Sequence, residues 1–192
     1  MKQDTKHIII EAGARIIHRK GYNHTGIQEV LKAAGVPKGS FYFYFKNKED
    51  FGLHVIDYFE TMVLGMVEPI VSDTNLSPLG RISGIFDYYI HLFEEVNYTC
   101  GCPIGNLAQE MGDLSDAFSS SLQSAVKNMA RVYREILDEA QSQGEFPSSL
   151  NTEETAEFIV TSWHGALIKM KIDRSIAPLT LHKQIILGLI RA

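Results

Sequence analysis

The stretch Thr25–Asp50, TGIQEVLKAAGVPKGSFYFYFKNKED, restricts the fold of this chain more than any other, because start, stop and restart signals for two helices follow without a spare residue. Thr25 and Gln28 have the spacing of a capping box, in which side chains at the helix start satisfy free backbone N–H groups. Gly35 is the residue type that ends a helix in the left-handed conformation. Pro37 has the fixed φ of a first helical position, and its ring keeps Val36 extended. The spacing predicts one helix up to Ala34, a tight turn, and a second helix from Lys38 to about Phe45. That is a helix-turn-helix.

On the second helix Phe41 and Phe45 stand four residues apart and share one buried face. Lys38, Ser40, Tyr42, Tyr44 and Lys46 are left for a partner. Lysines neutralise phosphate, Tyr and Ser hydroxyls donate to phosphate oxygens or base edges, and Gly39 lets the backbone approach a duplex closely. The partner these groups suit is DNA. An isolated FYFYF run would fit a core helix with a lysine rim, so the surrounding sequence decides between the two.

From Ile9 to Phe51 the run IIEAGARIIHRKGYNHTGIQEVLKAAGVPKGSFYFYFKNKEDF resembles the DNA-binding domain of the tetracycline-repressor (TetR/AcrR) family. It departs at Gly13 and Leu31, where Ala is usual, and at Pro37, where Ser is also common; none of the three is on the expected DNA face. The resemblance implies phosphate contacts from Thr25, Tyr44, Lys46 and Lys48, with Lys38, Ser40, Tyr42 and Gln28 nearest the base edges. It also implies a homodimer on a pseudo-palindromic double-stranded operator. The two recognition helices would then enter major grooves roughly 34–36 Å apart, or a multiple of that.

Charge agrees once it is divided along the chain. The net formal charge is −5 over 192 residues, yet residues 1–50 hold nine Lys/Arg against five Asp/Glu, and the remainder nine against eighteen. A basic head on an acidic body suits a protein that touches phosphate only with its head. No apolar stretch reaches the roughly 18 residues of a membrane span, and no apolar leader follows the basic start, so a cytoplasmic protein is expected.

Helical periodicity without any convincing two-residue alternation predicts an all-α fold of about nine helices, a helix-turn-helix domain over 1–50 and a ligand-binding and dimerisation domain over 51–192. The first helix spans Thr5–Lys20. Asn47 caps a long fourth helix from Lys48 to about Glu68, with Phe51, Val55, Phe59, Met62 and Met66 inward and Pro69 at its exit. In the resembled family this helix connects ligand binding to the separation of the two DNA-binding heads. Ser77-Pro78 opens a fifth helix, Pro103 a sixth ending near Met111, Ser115–Gln143 forms a seventh, Asn151 caps an eighth, and Thr180–Ile190 is the ninth. The resemblance implies that the last two long helices pair with their copies in a second subunit.

A regulator released by a ligand needs a pocket, and inward residues of the body are the candidates: Met62, Met66, Phe86, Tyr89, Phe93, Met111, Tyr133 and Trp163, with Phe118 and Met129 beside them. Aromatics and Met at helical spacing are equally the makings of a plain core. The segment CGCPIGN admits three readings. Cys102 stands before a helix start that favours thiolate, and so suits a thiol sensor of electrophiles or oxidants. Some family members carry a reactive Cys in a similar place. Cys100 and Cys102 together could bind a soft metal, although no His stands nearby. Alternatively Cys102 is a small buried apolar residue. An enzyme would need GxSxG, HExxH or a phosphate-binding Gly loop; none occurs, so no catalytic residue, cofactor or resident metal is expected, and a plain helical interaction module is the remaining alternative.

Overall fold

The computed structural model describes residues 5–191; residues 1–4 and 192, which belong to the expected domains 1–50 and 51–192, lie outside the described residues. Among the described residues the chain is all-α, as expected, with α1 Thr5–Lys20, α2 Ile27–Ala34, α3 Phe41–Tyr44, α4 Lys48–Val71, α5 Pro78–Glu95, α6 Pro103–Met111, α7 Asp116–Ser142, α8 Thr152–Asp173 and α9 Ala177–Ile190. No helix among them is long and apolar enough to cross a membrane. The chain divides into two compact units, Met1–Met62 with Pro103–Ala125, and Val63–Cys102 with Val126–Ala192. The division expected after residue 50 follows the motif, whereas packing carries the first unit on to Met62 and adds α6 and the start of α7 up to Ala125. The reason is visible at Phe51, whose ring meets those of Phe41 and Phe45 at 5.6 and 5.1 Å.

In the first unit α1 buries Ile9, Ala12, Gly13, Ile16 and Ile17 on one stripe. Gly13, one of the departures from the family pattern, leaves room for that same Phe51: a Cβ there would lie 2.2 Å from the ring tip. Gly35 ends α2 in the left-handed conformation at φ 67°, with its N–H on the Leu31 and Lys32 carbonyls. The capping box does not form. Gly26 is the N-cap of α2, and the Thr25 hydroxyl donates back to the Gly21 carbonyl at 2.7 Å, a local alternative open to a short hydroxyl side chain. The second helix of the motif starts as a 3₁₀ turn over Lys38–Ser40 before α3, because Pro37 sits at its N-cap with extended ψ rather than at a first helical position. Asn47 caps α4 through the Asp50 N–H at 2.8 Å.

The second unit is built on an apolar core drawn from α4, α5, α7, α8 and α9, including Val67, Phe86, Tyr133, Trp163 and Ile186. Here α5 packs on α4: the Tyr89 hydroxyl donates to the Val63 carbonyl, and the Arg81 guanidinium donates to that of Val71 at 3.1 Å while pairing with Glu139 of α7. Three expectations need correction. Pro69 does not end α4, which runs on to Val71, since a proline near the C-terminus removes only one rung. Val63 and Val67 take the buried stripe of α4, leaving Met62 and Met66 half-buried. Helix α9 begins at Ala177, with Pro178 in its first turn, three residues before the expected start.

Candidate functional site

Residues at the turn between α1 and α2, at the start of α2, in the 3₁₀ turn, on α3 and at the start of α4 line one groove of about 670 Å³ in the first unit: Asn23, His24, Thr25, Gly26, Ile27, Gln28, Lys38, Tyr42 and Lys48. Five of the expected DNA-facing residues therefore meet in one place. Phe41 and Phe45 anchor α3 with rings 5.1 Å apart, and this turns Tyr42 outward at 65% exposure. Gly39 is exposed, and a Cβ there would meet nothing within 4 Å, so the backbone itself is open to a close approach. Lys46 is exposed, while Ser40 and Tyr44 are half-buried; none of these three lines the groove.

Two expected contacts look different at atomic scale. Thr25 lines the groove but is buried, with its hydroxyl donating to the Gly21 carbonyl and its N–H to that of Tyr22. Lys48 sends its ammonium to the Tyr22 carbonyl at 2.8 Å and holds it 4.3 Å above the Tyr22 ring. Burial lowers its pKa, with the Glu110 carboxylate opposing that. Its partner Tyr22 is pushed up to about 12, by burial first and then by the Glu49 and Glu110 carboxylates.

Glu110 of α6 was not singled out from the sequence. Its two oxygens accept from the backbone N–H groups of Tyr22 and Asn23 at 2.8 and 2.7 Å. Gly21, at φ 87°, makes this possible, because a Cβ there would lie 2.8 Å from one carboxylate oxygen. Asn23 also donates to the Met111 sulfur at 3.5 Å, and Ser115 donates to Glu49 at 2.6 Å. The turn that forms one wall of the groove is thus fastened to α6. A lone Glu on a short helix carries no sequence signal for this; Gly21 carried half of one.

In the second unit the aromatic candidates come together. Phe86 meets Tyr133 at 6.1 Å and Trp163 at 5.4 Å, and Tyr89 meets Phe93 at 6.4 Å and Trp163 at 6.2 Å. Half-buried Cys102 packs against this cluster and, with burial as the larger cause, helps push the Tyr89 phenol upward. The segment before Cys102 is wound tightly: Asn97, Tyr98, Cys100 and Gly101 all have φ between 52° and 75°. Lys171 of α8 passes 3.5 Å from the Cβ position of Gly101. Met62 and Met111 belong to the first unit and do not join the cluster. His182 of α9 does, with its ring 5.4 and 5.3 Å from those of Phe86 and Trp163, Nε2 2.9 Å from the Ser162 hydroxyl, and burial lowering its pKa to about 4. Its place between Leu179 and Ile186 on the inward stripe of α9 was the available signal.

Comparisons with known proteins fit both units. A family model described as "Bacterial regulatory proteins, tetR family" matches residues 9–55, and one described as "Tetracyclin repressor-like, C-terminal domain" matches residues 78–186. The chain is similar to the transcriptional regulator AcuR of Cereibacter sphaeroides, 36% identical over 175 residues that span 89% of this chain and 78% of that protein. It is similar to the HTH-type transcriptional repressor NemR of Escherichia coli (strain K12), 25% identical over 93% of this chain and 89% of that one. A crystal structure of a regulatory protein TetR from Rhodobacter sphaeroides matches with a TM-score of 0.88 at 33% identity, covering 96% of this chain and 97% of the other. The reduced form of E. coli NemR shares the fold, with a TM-score of 0.90 at 24% identity over 98% and 97% of the two chains.

Proposed function

Because the chain belongs to the tetracycline-repressor family of transcriptional regulators, we propose that it is a repressor which binds a pseudo-palindromic operator as a homodimer and lets go when an effector occupies its second unit. The observation that carries the reading is the groove beside α3, where Lys38, Tyr42, Gln28 and Lys48 converge above a turn whose backbone is fixed. Lysines and hydroxyls there meet phosphates and base edges. Tyr44 at the end of α3 and Lys46 just after it, both outside the groove, are assigned to the flanking phosphates, and Ser40 and Gly39 to close approach of the 3₁₀ turn.

Dimerisation is assigned to α8 and α9. On α8 the exposed residues Phe158, Thr161, Gly165, Ile168 and Ile172 recur every three or four positions, and on α9 Leu181, Ile185 and Leu189 do the same. A Cβ at Gly165 or Gly188 would meet nothing within 4 Å, so a partner helix can come close at both. Two apolar stripes in water, each with a small residue, are suited to pairing with their own copies.

The effector is assigned to the cluster of Phe86, Tyr89, Phe93, Tyr133 and Trp163, with Cys102 as the reactive group. A thiolate at Cys102 would be favoured by the start of α6 and by the Lys171 ammonium near the segment. That a reduced form of the relative NemR is distinguished supports a thiol-sensing reading over a purely structural cysteine. An effector must favour the released arrangement by about 5.5 kcal/mol to shift occupancy from one extreme to the other, so capture of a thiol releases DNA only where the adduct fits that arrangement better than the DNA-bound one.

The test is a titration of an operator with the full chain, with and without a panel of electrophiles, in wild type and Cys102→Ser. Binding lost on treatment only in the wild type is expected. Release in both proteins would move the effector from the thiol to a non-covalent site. Unchanged operator affinity in Tyr42→Ala would remove the assignment of the DNA face.

A further inference from the structure

One residue of the recognition element, Phe43, neither anchors α3 nor lines the groove. Phe43 is 82% exposed, the most exposed of the large apolar side chains in the described structure. Phe41 and Phe45, two positions to either side, are fully buried, so Phe43 lies on the side of α3 opposite the anchor, at its outermost point. Its ring meets only an edge of Tyr44, at 4.9 Å, among the ring contacts of α3. A large apolar group held in water at the tip of a four-residue helix is not explained by packing.

We propose that Phe43 is a specificity-determining residue that seats on the C5-methyl group of a thymine in each half-site of the operator. The inference rests on the DNA-binding reading above. Phenylalanine has neither donor nor acceptor, so Phe43 can take part in none of the hydrogen-bond codes of base edges or phosphates. Among the groups that base pairs present in the major groove, the thymine methyl is the apolar one. The surroundings select nucleic acid over an apolar partner: exposed Lys38 in the 3₁₀ turn before α3 and exposed Lys46 just after it flank the position along the chain, exposed Tyr42 precedes it, and Gly39 leaves the backbone open. A lipid or protein surface that met Phe43 would have to bury both lysines. A duplex leaves them on its phosphates while an exposed ring of the same motif reaches a base.

The experiment uses the full chain and the duplex it enriches from a random-sequence pool, with each thymine of a half-site replaced in turn by deoxyuridine, which lacks only the methyl. Affinities are measured for wild type and Phe43→Ala; the side chain is exposed, so the variant loses no core contact. At one thymine per half-site the wild type should lose about fourfold for one half-site, the worth of burying one methyl, and about fifteenfold when both are replaced. Phe43→Ala should bind the thymine duplex more weakly and bind the two duplexes equally. Two results would overturn the inference while leaving the DNA-binding reading intact: wild type indifferent to every replacement, or the same penalty in both proteins. If the wild type enriches no sequence, the DNA-binding reading falls, and this inference with it.

Discussion

Glu110 holds two backbone amides at once, and this gives the groove a rigidity its own short elements cannot supply. Glu110→Ala leaves the Tyr22 and Asn23 N–H groups without their carboxylate. The first is half-buried and the second faces water, so a loss of about 1–2 kcal/mol is expected in denaturant unfolding. The sharper sign is local, as amide exchange at Tyr22 and Asn23 should accelerate beyond the global change, and Glu110→Gln, which keeps one acceptor, should recover part of it. His182 makes a second residue-scale prediction. Buried among Phe86 and Trp163, it titrates near 4 in the fold and near 6.5 when unfolded. Between those values the unfolded chain binds more protons, so acid favours unfolding. The effect is absent above about pH 6.5, grows as pH falls, and levels off below about 4; His164, also lowered by burial, adds the same sign. Unfolding midpoints at pH 7 and pH 5 should differ less in His182→Gln than in the wild type, and equal differences would remove His182 as the source.

Element boundaries show which sequence signals are physical and which only coincide with structure. Asn151 caps α8 through the Glu154 N–H at 3.0 Å, and Ser77 caps α5 through that of Gly80; both were legible because the capping oxygen, the first turn and the apolar run all agree. Thr25 failed as a capping residue because its hydroxyl had a nearer carbonyl at Gly21, a competition that residue spacing does not reveal. The groove was half legible: the lysines and hydroxyls on and around α3 advertise themselves, whereas Asn23, His24 and Ile27 carry no such signal and line it beside a turn that Glu110 holds at Tyr22 and Asn23. Exposed Phe43 was hidden within a run that reads as core. Arg174 is an element-scale opportunity, since it closes α8 in the left-handed conformation at φ 48°, exposed and with its N–H on the Met170 carbonyl. Arg174→Gly removes the Cβ penalty of that conformation and should raise stability by about 0.5–1 kcal/mol, read as a higher denaturation midpoint at unchanged slope.

At the scale of the whole molecule, two copies must act on one duplex. Leu181→Glu with Ile185→Glu places two charges on the exposed apolar stripe of α9, where they disturb no buried contact of the single chain. The variant should sediment as a folded monomer with the wild-type helical spectrum. Its operator affinity should fall by orders of magnitude, since each half-site must then be held alone. A variant that stays dimeric would move the interface off α9. Salt dependence belongs to the same scale: the basic first 50 residues predict that affinity falls steeply with ionic strength. The most direct test of the central claim is to select binding duplexes from a random-sequence pool with the full chain and determine the mass of the complex on the winner. The expected winner is an inverted repeat whose half-site centres lie about one helical turn apart, or a multiple of it, occupied by two chains or a multiple of two. A single half-site held by one chain, or a pool that never converges, would contradict it.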